Sequence, residues 1–97
     1  MATYIMLNRY TSQGIERVKQ SPARIDALKR VFKANGAEIK QTFLVMGTYD
    51  TVLVVEAPDD ETCARLSLTI GAAGDVRIET LRAFTEDEFR RIVAAMP

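Results

Sequence analysis

The sequence predicts an α+β domain of the ferredoxin-like kind, with the order β-α-β-β-α-β followed by a C-terminal helix. Three observations carry that reading. Four short stretches rich in apolar and β-branched residues punctuate the chain. The first and second, and the third and fourth, are separated by stretches with helical spacing, whereas the second and third are joined only by Gly47-Thr48. After the fourth strand comes a complete helix-start signal. The 97 residues are expected to form one domain, residues 1–97, near the lower end of the usual size range.

The elements follow in order. Thr3 to Tyr10 alternates, with Ile5 and Leu7 on one face and Tyr4, Met6, Asn8 and Tyr10 on the other. Thr11 to Gly14 breaks this strand, and Ile15 to Lys19 is expected to form one helical turn. Ser21-Pro22 has the form of a helix start, serine as cap and proline in the first turn. Ile25, Leu28 and Phe32 then fall on one helical side, and Asn35-Gly36 supplies the stop. Glu38 to Met46 and Tyr49 to Glu56 are the second and third strands, the latter apolar on both faces. Pro58-Asp59-Asp60 opens a helix with Cys63, Leu66 and Ile70 on one stripe, ended by Gly71 and Gly74. Asp75 to Ala83 is the fourth strand. In the last helix, Thr85 and Glu88 have the spacing of a capping box, Phe84 and Phe89 that of a hydrophobic staple, and Phe89, Ile92, Val93 and Met96 form an apolar stripe.

Composition narrows the function classes. Lysine plus arginine equals aspartate plus glutamate, 13 each, which gives no electrostatic footprint for nucleic acid. No apolar run is long enough for a transmembrane helix, and Met1 to Tyr10 lacks the pattern of a secretory leader. With a lone cysteine, Cys63, and so no internal disulfide, the expected location is the cytoplasm. Histidine is absent, removing the commonest general base and metal ligand. No cofactor and no metal site is expected: Asp59, Asp60 and Glu61 cluster at a helix start, where they suit the helix dipole, and lack spread ligands. Gly71 to Gly74 precedes a strand rather than a helix, which does not fit a phosphate cradle.

The third strand puts Val52 and Val54 on one face and Leu53 and Val55 on the other. Helices can cover one set. An antiparallel sheet with one wet face should alternate with polar residues, so the second set needs another cover. The terminal helix can supply part of it. A second copy, stacked face to face, can supply all, and a homodimer (or higher homo-oligomer) closing into an α/β barrel is the expected assembly.

Several fragments, in order along nearly the whole chain, resemble the GYD domain family: Tyr10-Thr11, Gln13-Gly14-Ile15, Ser21-Pro22 with Arg24, Met46-Gly47-Thr48-Tyr49-Asp50, Glu56-Ala57-Pro58-Asp59-Asp60, and Glu79 to Phe84. The resemblance implies a ferredoxin-like fold of the dimeric α/β-barrel type and says little about activity. Monooxygenases, haem enzymes and amino-acid-sensing modules share that fold, an analogy that assigns no chemistry.

The candidate ligand-binding residues are Tyr4, Asn8, Tyr49, Asp50 and Arg82, with Gly47, Tyr49 and Asp50 as the turn motif. Tyr49 and Asp50 form either a turn lock or a polar pair at a pocket rim. Tyr4, Met6, Asn8 and Tyr10 suit the lining of a barrel cavity or a dimer interface. Arg82, with Arg9 and Lys40, suits an anionic group, whereas Arg77 and Glu79 read as cross-strand ion pairing. Cys63 lies on the apolar stripe and reads as a buried structural thiol. The leading functional expectation is a module binding a small, partly apolar metabolite, anionic ones included. The alternative is a cofactor-independent oxygenase or isomerase with Asp50 and a tyrosine as acid and base. A structural or regulatory oligomer without a ligand is the third reading. Neither nucleic acid nor membrane is an expected partner.

Overall fold

The computed structural model describes residues 1–97. It contains strands β1 (Ala2–Tyr10), β2 (Glu38–Leu44), β3 (Thr51–Ala57) and β4 (Val76–Ala83). Helices α1 (Ser12–Glu16), α2 (Ser21–Ala34), α3 (Asp60–Ala72) and α4 (Glu86–Ala94) accompany them, with a 3-10 turn at Val18–Gln20. The strands form one antiparallel sheet in the order β2-β3-β1-β4, as a ferredoxin-like chain requires.

The helix-facing side of the sheet holds the core. Tyr4 and Met6 from β1, Leu53 and Val55 from β3 and Ile39 from β2 are buried against Phe32 of α2 and Cys63, Leu66 and Ile70 of α3. A bulge between Ile39 and Gln41 shifts the alternation of β2 by one residue. Ile39 therefore pairs beside buried Val55, while Gln41 and Phe43 fall opposite Val54 and Val52 on the outer face.

That outer face is apolar and uncovered. Ile5 lies between Val54 and Leu81, and Leu7 between Val52 and Glu79. Phe43 and Leu81 are exposed. The terminal helix does not cover this face: α4 buries no residue, and Phe89, Ile92, Val93 and Met96 are all exposed. The chain extends 51 Å along its longest axis, and its 14.5 Å radius of gyration exceeds the ~12.5 Å typical of a compact chain this long. A terminal helix whose apolar stripe stays largely exposed accounts for both.

Several boundaries differ from the sequence reading for local reasons. Helix α1 starts at Ser12 rather than Ile15, because Thr11, which ends the strand as expected, also caps the helix by accepting the Gly14 N–H at 3.0 Å. Gly14 sits inside α1 because an added Cβ would lie 1.8 Å from the Asp75 carbonyl oxygen. Ser21 does not cap α2; the 3-10 turn runs straight into that helix and leaves the serine buried in its first turn. Strand β3 begins at Thr51, so Tyr49 and Asp50 belong to the connection rather than to the strand. The Thr85–Glu88 capping box is present in full, with bonds of 2.9 and 3.2 Å.

Candidate functional site

A cleft of about 280 Å³ opens between the sheet and the two long helices. Ile25, Leu28 and Val31 of α2 form one wall, Thr69, Ile70 and Ala73 at the end of α3 the other, and Leu53 and Val76 part of the floor. The polar lining comes from Asn8, Tyr10 and Thr51 on the sheet and from Ser21, Arg24 and Asp75 at one end.

Chain segments distant in sequence assemble that polar end. The Tyr10 hydroxyl donates to Ser21 Oγ at 3.1 Å. Arg24 donates to the same hydroxyl and to the Arg17 carbonyl, both at 3.0 Å, and its Nε lies 3.2 Å from Asp75 Oδ2. Gln13 Nε2 donates to Asp75 Oδ1 at 2.9 Å, and Arg17 approaches Oδ2 at 3.6 Å. The hydrogen bond from Gln13, reinforced by Arg17 and Arg24, holds the Asp75 carboxyl below the usual carboxylate range. The backbone completes the clamp: Thr11 N–H donates to the Asp75 carbonyl at 3.0 Å, and the Thr11 hydroxyl to that of Gly74 at 2.6 Å.

Asn8 differs from its neighbours. Its Nδ2 donates to Thr51 Oγ1 at 3.2 Å, while its Oδ1, in a residue only 4 % exposed, has no partner. A buried polar atom left unpaired costs about 1–3 kcal/mol, so such atoms are rare. The other unpartnered buried atom, Thr42 Oγ1, lies outside the cleft.

The Gly47-Thr48-Tyr49-Asp50 segment sends its two functional side chains apart. Gly47 takes a φ of +121°, open to glycine and strained for other residues. Asp50 N–H donates to the Asn8 carbonyl at 2.8 Å, and its carboxylate accepts the Tyr10 N–H at 2.9 Å. Asp50 thus extends the β1–β3 pairing past Thr51 and fixes the backbone on either side of Arg9. Tyr49 reaches over the outer face, donates its hydroxyl to Glu79 and lies under the Arg9 guanidinium, 5.1 Å from the ring centroid. Hydrogen bonding to Glu79 raises the Tyr49 pKa.

The remaining predicted residues lie elsewhere. Tyr4 and Asn8 do share a face of β1, but it faces the helices of the same chain, not a space between stacked sheets. The Tyr4 hydroxyl donates to Asp60, and burial with that bond pushes its pKa up to about 12. Arg82, opposite Tyr4, lies 5.6 Å from the Tyr4 ring centroid and 4.4 Å from that of Phe84. Arg82, Arg9 and Lys40 do not converge: Arg82 and Lys40 stand on opposite edge strands, Arg9 is on the outer face, and Lys40 pairs with Glu38 at 3.6 Å. Arg77 and Glu79 share the outer face without an ion pair between them. Cys63 is buried, and burial pushes its thiol pKa up. No group of side chains is arranged to hold a metal ion, and no helix is long and apolar enough to cross a membrane.

Of the predicted ligand residues, then, the cleft gathers Asn8 alone. Sequence reasoning missed Ser21, Arg24 and Asp75 as its polar end. Ser21 and Arg24 belong to the motif run from Thr11 to Arg24, whose polar residues have the local pattern of caps and turns, and nothing local marks Asp75 as their partner.

Comparison with known proteins adds to this picture. The chain is 36% identical over 84 residues to a Thermus thermophilus protein named "Glutamine synthetase and cystathionine beta-lyase binding protein", covering 86% of this chain and 88% of that one. A crystal structure of a protein from Thermus thermophilus is similar at a TM-score of 0.57 and 26% identity, over 88% of this chain and 95% of the other. The fold is shared by a hypothetical protein of Pyrococcus horikoshii, at a TM-score of 0.56 and 18% identity, over 89% of this chain and 93% of that one. The GYD domain model matches residues 4–93, and the chain belongs to the GYD domain family.

Proposed function

We propose that this protein is a small-molecule-binding module that works as a homodimer. The observation that carries the reading is the Asn8 amide: a buried polar group, unsatisfied on one side, in an apolar cleft of ligand size. The Thermus relative, by its name, binds two enzymes, which supports a binding role rather than a catalytic one. The cleft lacks the acid–base pair of the enzymatic alternative, since Asp50 lies outside it and Tyr49 is on the other side of the sheet.

The dimer follows from the outer face. Ile5, Leu7, Val52, Val54, Phe43 and Leu81 lie side by side on a face that no helix covers, and such an apolar patch suits a partner surface. Stacked on a second copy at ~10 Å, such a surface is worth several kcal/mol at roughly 25 cal/mol per Å², before association costs. The sheets would then close into the barrel with each cleft on its outside, under the helices.

The test is a thermal-shift screen of a metabolite library, with binders followed by sedimentation. Binders that shift the resonances of α2 and α3 residues support the reading. A library without a binder defeats it, and a monomer at micromolar concentration defeats the dimer.

A further inference from the structure

We infer that the α2–α3 cleft takes a monocarboxylate, its carboxylate held at the Ser21–Arg24 end and its compact apolar body between the two helices. This rests on the binding-module reading and names the ligand class. The first observation is charge. Arg17 and Arg24 both pair with Asp75, at 3.6 and 3.2 Å, and neither pairs with another carboxylate. Two cations share one anion, so the charges at this end do not cancel and the surplus is positive.

The second observation is the supply of donors. A guanidinium carries five N–H groups. Arg24 spends at most three, on Asp75, Ser21 and the Arg17 carbonyl. At least one N–H remains on each terminal nitrogen, and a carboxylate can accept two at once. Arg24 lines the cleft, and its side chain keeps 25 % of its surface exposed. Ser21 Oγ, beside it, accepts from Tyr10 and from Arg24 and retains its own hydrogen to give. The acceptors are already in use. Gln13 bonds Asp75 Oδ1, the two arginines approach Oδ2, and the Arg17 carbonyl takes both Arg24 and the Gln20 N–H.

The rest of the lining is largely apolar, with Ile25, Leu28 and Val31 across from Ile70 over a floor that includes Leu53 and Val76. Burying a carboxylate among such residues is costly unless it is paired and hydrogen-bonded, and Arg24 offers both. An ammonium would meet the same walls beside a surplus of its own sign. An alcohol would bond without the assistance of charge. The anion partner is then Arg24, and not the Arg82, Arg9 or Lys40 of the sequence reading, none of which lines the cleft. Volume sets the size of the body. A dry cavity of about 150 Å³ holds benzene, with its six carbons, so about 280 Å³ admits on the order of eleven non-hydrogen atoms.

The experiment titrates the isotope-labelled full chain with 3-phenylpropanoate, 3-phenylpropylamine and 3-phenyl-1-propanol, which share one apolar body of that size. The expected result is saturable binding of the acid, shifting the Leu28 and Ile70 methyl signals and the Arg24 side-chain N–H signal. The alcohol and the amine should bind more weakly by about tenfold or more. Added salt should weaken the acid and spare the alcohol. Arg24→Gln should bring the acid down to the affinity of the alcohol. Arg17→Gln, outside the cleft lining, should weaken the acid several-fold, and it carries the test should Arg24→Gln not fold. Equal or tighter binding of the alcohol or the amine overturns the ligand class while leaving a binding module in place. Binding of the acid that leaves Leu28 and Ile70 unmoved overturns the site, and an affinity that neither arginine variant alters overturns the role of the charge. If none of the three binds but other library compounds do, the ligand class falls alone; if nothing binds in either experiment, both readings fall.

Discussion

The two faces of β1 differ more in what meets them than in what they are made of. Tyr4, Met6 and Asn8 point to the helices and are nearly or wholly inaccessible, whereas Ile5 and Leu7, the more aliphatic set, point outward and stay partly exposed. The less hydrophobic face is the buried one. Burial of a strand face depends on which elements pack over it. Here α2 and α3 bring Phe32, Leu66 and Ile70 to one side, and no helix covers the other, although Tyr49 reaches over it. The helix side keeps its polar groups buried, a hydroxyl bonded to Asp60 and an amide half-bonded to Thr51, whereas those of the outer side, Arg9, Tyr49 and Glu79, are exposed or half-buried. A face meant for a ligand needs such groups. A face meant for another sheet needs area.

The largest expected effect tests this contrast directly. Met6→Ala removes a side chain with no exposure and should cost about 2–5 kcal/mol in urea unfolding at every protein concentration. Leu7→Ala, one residue away, should show a cost that shrinks on dilution, because the proposed dimer supplies its burial. Equal, concentration-independent costs would erase the distinction between the faces.

Next comes Val54→Asp. A carboxylate at the centre of the outer face should raise the dimer dissociation constant at least a hundredfold, about 2.8 kcal/mol, with the monomer fold kept. Sedimentation equilibrium reads the change, and an unaltered dimer would place the contact elsewhere.

On the helix side, Gly14→Ala should destabilise by about 1–3 kcal/mol, since its new methyl meets the Asp75 carbonyl and α1 must move off the α3–β4 connection. Hydrogen exchange at the Thr11 amide, which bonds that carbonyl, should rise in parallel. Asp50→Ala should cost about 1.5 kcal/mol through the lost bond to Tyr10 N–H, with Asp50→Asn costing less. A larger loss of ligand affinity than of stability would raise the motif from turn lock to positioning device.

The smallest effect is a pH dependence. The folded-state pKa of Asp75 lies below the ordinary 3.8. Its contribution to stability is therefore present above that value and is lost as pH falls through the lower, folded value. Asp59 and Glu88 are shifted the same way by the backbone N–H groups they cap. Asp75→Asn should thus flatten, but not abolish, the fall in melting temperature below about pH 4.

By itself the sequence determined the element order, the hairpin, the shared face of Tyr4 and Asn8, the buried Cys63 and the capping box of α4. These rest on spacing and on contacts within a few residues, where the chain's own geometry decides. Tertiary structure alone decided the rest. Alternation divides β1 into two faces but cannot say which is covered when both are largely apolar. The bonds of Asp75 reach Gln13, Arg17 and Arg24 across the fold, and no local pattern marks such partners. From the sequence Asp50 is either a turn lock or half of a polar pair at a pocket rim; in the fold its carboxylate caps an amide from β1 while Tyr49 crosses to β4. The unpartnered side of the Asn8 amide is likewise a property of the whole fold, because an unsatisfied group is defined by what the fold fails to bring to it.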